Sequence, residues 1–127
     1  MTKRTILLAA IAMALATPAA AQGGWIFLGD RTVNDATDRD AVHLRGANRY
    51  TRIRICVDRA PVRFYDVGVE FANGGRQDVK MADMIRPGGC TRAIDLKGAA
   101  RDITRISFIY EAKSLGRQSA HVRVFGR

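Results

Sequence analysis

The residues most able to carry chemistry in this sequence are arginines. The chain of 127 residues holds 21 Lys+Arg against 12 Asp+Glu, a formal net charge of +9. Arg52 and Arg54 alternate with apolar residues, and Arg105 and Arg123 stand in two further alternating stretches. A guanidinium group binds carboxylates and phosphates through paired hydrogen bonds. If these stretches are neighbouring strands, the four arginines form a basic stripe that binds an anionic envelope glycan or lipid.

The same arginines have a second interpretation, in which they form ion pairs on a solvated sheet face. Asp66, Glu70, Asp95 and Glu111 are the acidic residues that would accept those pairs. An arginine-rich composition also arises from high-GC coding without any function. No aromatic residues interleaved with the arginines mark a nucleic-acid platform, and intracellular nucleic acid is not expected as a partner.

Two cysteines, Cys56 and Cys90, are present in the whole chain. An even number of cysteines in an exported protein favours a disulfide. Their separation of 34 residues matches neither a redox motif nor a zinc motif, and His43 and His121 are the only histidines. The sequence therefore predicts a structural Cys56–Cys90 disulfide and no metal site.

The first 21 residues have the order of a secretory signal peptide. Lys3 and Arg4 precede the uncharged apolar stretch Thr5–Ala16, and small residues lead to a cleavage site after Ala21. A membrane span needs about 20 apolar residues, and this stretch is shorter. We therefore predict a bacterial periplasmic or secreted protein whose single domain is residues 22–127. That domain has 127 − 21 = 106 residues and a net charge of 19 − 12 = +7.

No motif of a known catalytic site occurs in the sequence. It contains no P-loop, dinucleotide-binding fingerprint, zinc-binding helix or nucleophile elbow. A serine–histidine site would combine Ser107, Ser114 or Ser119 with His43 or His121, and no local signature supports any combination. We therefore predict no catalytic residue and no cofactor, and we favour a protein that is not an enzyme.

The acidic stretch Asn34–Asp40 invites a calcium interpretation because calcium prefers several oxygen ligands. It lacks the glycine and the distal glutamate of an EF-hand loop, and Arg39 adds a positive charge. We therefore predict a turn at this position, in which the aspartates bind backbone N–H groups.

Apolar residues recur at every second position through most of the chain after residue 22. In one such stretch Ile53, Ile55 and Val57 share a face, and Arg54 lies on the other. This period is typical of strands with one buried face. Short strands separated by frequent turns predict an all-β fold, an antiparallel β-sandwich or jelly-roll-like structure. We expect about eight strands, near residues 25–33, 40–45, 49–58, 61–72, 76–81, 90–96, 102–112 and 119–126.

Glycine-containing turns separate these strands, and one stretch is a helix candidate. Turns are predicted at Asn73–Gly75, Pro87–Gly89 and Leu115–Gly116. The helix candidate is Lys80–Arg86. The bulky residue Trp25 opens the domain, and we interpret it as docked into the core, with an exposed sugar-stacking ring as the alternative.

Several short patterns resemble a family of small exported bacterial proteins of unknown function. The pattern begins Trp25-x-x-Leu28-Gly29-x-Arg31-x-Val33, continues through Asp38-Arg39-Asp40 and Val69-x-Phe71-x-Asn73-Gly74, and ends with Arg92-x-Ile94-Asp95-Leu96 and Arg101-x-Ile103-x-x-Ile106-x-Phe108-x-Tyr110. The resemblance implies a compact secreted β-sandwich. It implies no catalytic residue.

Three hypotheses of function follow. The leading one is a non-enzymatic binding or structural module of the cell envelope that contacts an anionic glycan, a lipid or another envelope protein through its arginines. The second is an assembly module that pairs through an edge strand, for which His121–Phe125 is the candidate. The third is an envelope hydrolase or an inhibitor of an envelope enzyme; a hydrolase would need a concave cleft lined by polar groups.

Overall fold

A computed structural model describes residues 24–33, 37–44, 49–112 and 119–127. The predicted signal segment and the predicted turn at Leu115–Gly116 lie outside these residues. The described ranges hold ten strands and no helix. The strands are β1 Ile26–Val33, β2 Thr37–His43, β3 Arg49–Tyr50, β4 Arg52–Asp58, β5 Val62–Phe71, β6 Arg76–Lys80, β7 Met84–Ile85, β8 Ile94–Asp95, β9 Arg101–Ala112 and β10 Ala120–Gly126.

The strands form two antiparallel sheets that share one apolar core. The four-stranded sheet has the order β1-β10-β4-β8, and the six-stranded sheet has the order β2-β9-β5-β6, with β3 on β9 and β7 on β5. Ile55 and Val122 of the first sheet belong to the same buried cluster as Val67 and Phe108 of the second. The predicted all-β antiparallel fold class is therefore confirmed, with ten strands in the described residues where about eight were expected.

The two-residue period decides which side chains are buried. Ile53, Ile55 and Val57 of β4 have no exposed surface, and neither have Val122 and Val124 of β10. The alternate residues of both strands lie on the outer face of the four-stranded sheet, because successive side chains of a strand point to opposite faces. The buried face predicted for β4 and β10 is confirmed.

The helix prediction for Lys80–Arg86 is wrong. Met84 and Ile85 form β7, in which Ile85 pairs with Val62 of β5. The N–H of Phe64 also donates to the carbonyl of Asp83 at 3.1 Å. A stretch of seven residues gains more from burying Ile85 against an existing sheet than from a short isolated helix.

The acidic stretch was also partly misassigned. Its last four residues, from Thr37 onward, belong to β2, which pairs in register with β9. Within β2, the Asp40 carboxylate forms an ion pair with Arg31 of β1 at 3.3 Å. A turn across the whole stretch is therefore excluded, and β2 starts earlier than expected.

Two of the predicted turns are present. At Asn73–Gly75, the N–H of Phe71 donates to the carbonyl of Gly75 and the N–H of Gly74 returns to the carbonyl of Phe71, both at 2.9 Å. Gly74 has a φ of 91° and Gly88 has a φ of 87°. Glycine adopts this left-handed conformation without the steric cost that a Cβ brings, which explains the residue type at both turns.

The Cys56–Cys90 disulfide joins β4 to the segment that follows the second turn. The bond is present with an S–S length of 2.03 Å, and Cys56 pairs with Cys90 as antiparallel neighbours. On either side, the N–H of Val57 donates to Gly89 at 2.9 Å and the N–H of Thr91 donates to Ile55 at 2.8 Å. The predicted disulfide is confirmed. It also explains why Cys56 is buried on a face where its neighbours Arg54 and Asp58 are partly exposed.

The strand proposed for assembly is not at an edge. β10 pairs with β1 on one side and with β4 on the other. Its backbone N–H and C=O groups are therefore used within the sheet, and the prediction that His121–Phe125 recruits a partner strand is wrong. A central strand has no free hydrogen-bonding edge.

One buried side chain links the two sheets. Gln77 of β6 donates from Nε2 to the carbonyl of Asp95 at 2.9 Å, and its Oε1 accepts from the N–H of Lys97 at 2.8 Å. Asp95 belongs to β8 of the opposite sheet. The Gln77 carboxamide thus gives both backbone groups a hydrogen-bond partner.

Replacing Gln77 by alanine should therefore destabilise the protein by about 2 kcal/mol, because two backbone groups lose their partner. Urea unfolding followed by circular dichroism measures this loss. Lys80→Gln on the same strand is the control, since the Lys80 side chain is 87% exposed and its pair with Asp66 is 3.7 Å long. A loss for Gln77→Ala no larger than that for the control would contradict the role of Gln77.

Candidate anion-binding surface

The four arginines of the sequence prediction lie on two different faces. β4 and β10 are neighbours, so Arg52, Arg54 and Arg123 share the outer face of the four-stranded sheet. Arg105 lies on β9 of the six-stranded sheet, where it pairs with Glu70 of β5. The shared stripe therefore contains three of the four arginines, and Arg105 faces the opposite side of the sandwich.

Three of these arginines have acidic partners. Nη2 of Arg123 lies 2.8 Å from Oδ2 of Asp58. Nη1 of Arg105 lies 3.2 Å from Oε2 of Glu70. Nε of Arg52 lies 3.6 Å from Oδ1 of the exposed Asp95 carboxylate, which is a longer contact. The ion-pair interpretation of the sequence thus describes Arg105 well and Arg52 loosely, whereas Arg123 pairs with Asp58, which is not among the expected acidic partners.

Arg54 differs from the other three because aromatic rings take the place of a carboxylate. Its guanidinium carbon lies 4.6 Å from the ring centroid of Trp25 and 5.7 Å from that of Phe125. Within the described residues, no carboxylate oxygen lies within 4 Å of Arg54, and its Nε is buried without a hydrogen-bond partner. The positive charge of Arg54 is held in place by π-contacts and is not neutralised.

Backbone pairing aligns Arg54 with two aromatic residues. Phe27 of β1 is opposite Phe125 of β10, which is opposite Arg54 of β4. The rings of Phe27 and Phe125 are 5.8 Å apart in an edge-to-face arrangement, and Phe27 remains 40% exposed. One row across three strands thus presents two rings and one cation.

A second row continues the pattern toward the ends of the described chain. The N–H of Arg127 donates to the carbonyl of Arg52 at 2.9 Å, and the N–H of Arg52 donates back at 3.1 Å. The Arg127 guanidinium lies beside Gly24, next to Trp25. We call the two rows the arginine–aromatic surface; its residues are Trp25, Phe27, Arg52, Arg54, Phe125 and Arg127.

Trp25 fits neither sequence interpretation as it stood. The residue is 8% exposed, yet it lies outside the shared core cluster. Its ring is covered by Arg54 on the outer face of the sheet. The ring is therefore neither a core side chain nor an open stacking platform, and it positions a cation.

The arginine–aromatic surface was only partly visible in the sequence. Alternation in β10 does place Phe125 on the same face as Arg123, a signal that could have been used. Trp25 and Phe27 come from the opposite end of the chain, and only the β1–β10 pairing brings them to Arg54. The expectation that no aromatic residues are interleaved with the arginines is therefore wrong.

A stacked guanidinium has a defined chemical use. Contacts with two rings restrict its rotation, and because the Nε of Arg54 is buried, its Nη N–H groups are the ones that can donate to both oxygens of a carboxylate or phosphate. Arg52 and Arg127 add positive charge in the adjacent row, whereas the charge of Arg123 on this face is balanced by its ion pair with Asp58. Oxyanion binding is what this arrangement can do.

A polar cavity of about 260 Å³ lies on the outer face of the six-stranded sheet. Gly68 and Ser107 form part of its lining, and the Arg76 guanidinium lies over Gly68. Arg76 pairs with Glu70 at 3.1 Å and with Asp78 at 2.9 Å. The hydrogen bond to Asp78 raises the pKa of Arg76. The charge of Arg76 is thus already balanced within the protein, unlike that of Arg54.

The serine and histidine residues do not assemble into a catalytic site in the described part of the chain. His121 Nε2 lies 2.7 Å from Asp30 Oδ2 on the four-stranded sheet, whereas Ser107 and His43 lie on the six-stranded sheet. No hydrogen bond joins a described serine to either histidine. Ser114 lies outside the described residues. Among the residues described, no group of three or more His, Cys, Asp or Glu side chains could hold a metal ion.

Tyr65 offers a titration that reports on this fold. Its hydroxyl donates to Oε1 of Glu111 at 2.9 Å, and this hydrogen bond, followed by desolvation, raises the pKa of Tyr65 above its ordinary value. A raised folded-state pKa means that the contribution to stability is complete below the ordinary tyrosine pKa and is lost as the pH rises through the folded-state value.

Glu111→Gln should therefore lower the pKa of Tyr65 toward its ordinary value, because a neutral amide accepts the hydrogen bond without a charge. The ultraviolet absorbance of tyrosinate, recorded against pH, measures this change. Tyr65→Phe, made in the wild-type protein and in Glu111→Gln, shows which part of the absorbance change belongs to Tyr65. This control is needed because burial also raises the pKa of Tyr50. An identical Tyr65 titration in the two backgrounds would contradict the assignment.

No helix in the described residues is long and apolar enough to cross a bilayer.

A search of curated proteins found no match to this chain. Among solved structures, the chain is similar to one from the study "Structural and functional characterization of Pseudomonas aeruginosa AlgX", with a TM-score of 0.52 and 14% identity. The similarity covers 85% of this chain and 28% of that one. At this identity it shows a shared fold.

The resemblance to a family of proteins of unknown function agrees with the comparison against family models. Residues 6–126 match a family model described as a domain of unknown function. The match spans all ten strands of the described residues and every residue of the arginine–aromatic surface except Arg127. The chain therefore belongs to the domain-of-unknown-function family DUF2541.

Proposed function

We propose that this protein is an exported envelope module that binds anionic ligands through the arginine–aromatic surface. The observation that carries the proposal is the Arg54 guanidinium, whose carbon lies 4.6 Å from the ring centroid of Trp25 and 5.7 Å from that of Phe125, and which has no carboxylate partner in the described structure. The predicted mature domain, residues 22–127, has a net charge of 19 − 12 = +7 and attracts polyanions over longer distances, which supports capture by this surface.

Export is part of the proposal and has its own test. The sequence of residues 1–21 and the Cys56–Cys90 disulfide support an oxidising compartment outside the cytoplasm. Expressed in a bacterial host, the protein should be recovered from the periplasm or the medium with Gln22 as its first residue. Mass spectrometry of the purified protein reads this end directly. Recovery of the uncleaved chain from the cytoplasm would contradict export.

The binding test uses two polyanions, polygalacturonate and inorganic polyphosphate, at physiological salt. Isothermal titration calorimetry gives the affinity, and quenching of Trp25, the single tryptophan, reports binding at the surface itself. Arg54→Gln should weaken binding about tenfold or more, because a charge-assisted hydrogen bond contributes roughly 1.5–3 kcal/mol.

Arg105→Gln is the matched control. It removes the same charge from the opposite face, where Glu70 retains Arg76 as a partner. Binding should change less than about twofold in this variant, because net charge alone has a small effect at physiological salt. Equal weakening by both variants, or no binding of either polyanion even at low salt, would overturn the proposal.

A further inference from the structure

We propose that the ligand of the arginine–aromatic surface is an acidic polysaccharide, whose sugar rings stack on Phe27 while its carboxylates bind Arg54. This inference rests on the proposed function and adds the ligand class. It starts from the exposed ring of Phe27, because anion binding by the arginines does not explain why an aromatic side chain is exposed beside them.

Phe27 is not required by the core. Its neighbour Leu28 packs against the buried cluster, whereas the Phe27 ring touches Phe125 on the outer face and stays 40% exposed. Large exposed side chains cost solubility, and an aromatic ring beside a basic patch is typical of a recognition surface. The ring therefore offers an apolar face to a ligand that the arginines hold.

The pairing of β1, β10 and β4 sets the distance between the ring and the charge that a ligand must contact. Phe27, Phe125 and Arg54 occupy the same level of three adjacent strands. Strands are about 4.8 Å apart, so Phe27 and Arg54 are separated by roughly 10 Å across the sheet. A ligand that reaches both must carry a ring with a C–H face and a negative charge about two strand spacings apart.

An acidic polysaccharide supplies this combination repeatedly along one chain. Each sugar has an apolar C–H face for an aromatic ring, and each uronate has a planar carboxylate for a guanidinium. Polyphosphate has the charge without a ring. A phosphatidylglycerol head group offers its negative charge at a bilayer surface and has no sugar ring for Phe27, so the Phe27 ring would have to insert into the bilayer. The polysaccharide would lie across the strands, from Phe27 of β1 toward Arg54 of β4.

The experiment compares three probes at equal concentration of negative charge: polygalacturonate, inorganic polyphosphate and vesicles of phosphatidylglycerol. The wild-type protein should bind polygalacturonate about tenfold more tightly than polyphosphate. Phe27→Ala should weaken polygalacturonate binding about fivefold and change polyphosphate binding less than twofold. Phe27→Tyr keeps the ring and should keep the preference.

Tyr65→Ala is the matched control, because it removes an exposed aromatic ring from the opposite face. It should change neither affinity. If both polyanions bind equally well and Phe27→Ala affects them alike, the polysaccharide assignment is wrong while anion binding stands. Tight vesicle binding that Phe27→Ala abolishes would also overturn the assignment, in favour of a membrane surface. If none of the probes binds, the proposed function itself fails.

Discussion

Removing the Cys56–Cys90 disulfide should lower the free energy of unfolding by about 4 kcal/mol, because the cross-link restricts a loop of some 34 residues in the unfolded chain. Domains of this size have a total stability of roughly 5–15 kcal/mol, so the loss is a large share of it. Backbone hydrogen bonds also join the two segments, since the N–H of Val57 donates to Gly89 and the N–H of Thr91 donates to Ile55.

The measurement is urea unfolding of the oxidised protein, the reduced protein and the Cys56→Ala/Cys90→Ala double variant. The reduced protein and the double variant should agree within about 1 kcal/mol, because both lack the same cross-link. In the reduced protein, hydrogen exchange should show the first loss of protection at the amides of Val57 and Thr91. These two amides form the backbone hydrogen bonds on either side of the disulfide. Equal stability of oxidised and reduced protein would contradict the prediction.

Phe108→Ala should cost about 4 kcal/mol, the second large effect. Phe108 lies on β9 at the centre of the six-stranded sheet and is almost fully buried. Its ring packs edge-on against Phe64 at 5.8 Å and contacts Tyr110 at the same distance. Alanine would leave a cavity that neighbouring strands cannot close, because both sheets are held by their own backbone hydrogen bonds.

Two variants separate the cavity from other effects. Phe108→Leu keeps most of the volume and should cost less than about 2 kcal/mol. Phe27→Ala makes the same chemical change at an exposed ring and should cost less than about 1 kcal/mol. Thermal and urea unfolding of the three variants measure these differences. A loss for Phe108→Ala close to that for Phe27→Ala would contradict the assignment of Phe108 to the core.

The sequence by itself determined the class of fold and the buried face of most strands. This follows from the two-residue period, which is a local property: in β4, Ile53 and Ile55 must share a face whatever strand lies beside them. Turn residues such as Gly74 are equally local, because their backbone conformation excludes most other residues. The disulfide was predictable because two cysteines allow one pairing.

The local sequence pattern predicted the wrong secondary structure where a stretch is short. Lys80–Arg86 carries too few residues to distinguish a helical turn from two strand residues, and the pairing of Ile85 with Val62 decided the matter. The same holds for the acidic stretch, where Asp40 lies in a strand because β2 pairs with β9. Tertiary contacts override weak local preference in both places.

Only the tertiary structure decided which strands are neighbours. Backbone hydrogen bonds are the same for every pair of strands, so the order of a sheet is selected by how the buried faces pack, which no short stretch encodes. That order brought Trp25 and Phe27 from one end of the chain to Phe125 at the other, and it placed Arg105 on the opposite face from Arg54. The sequence determined that these arginines lie on outer faces, and the strand order determined that Arg54 alone of the four lies over two aromatic rings.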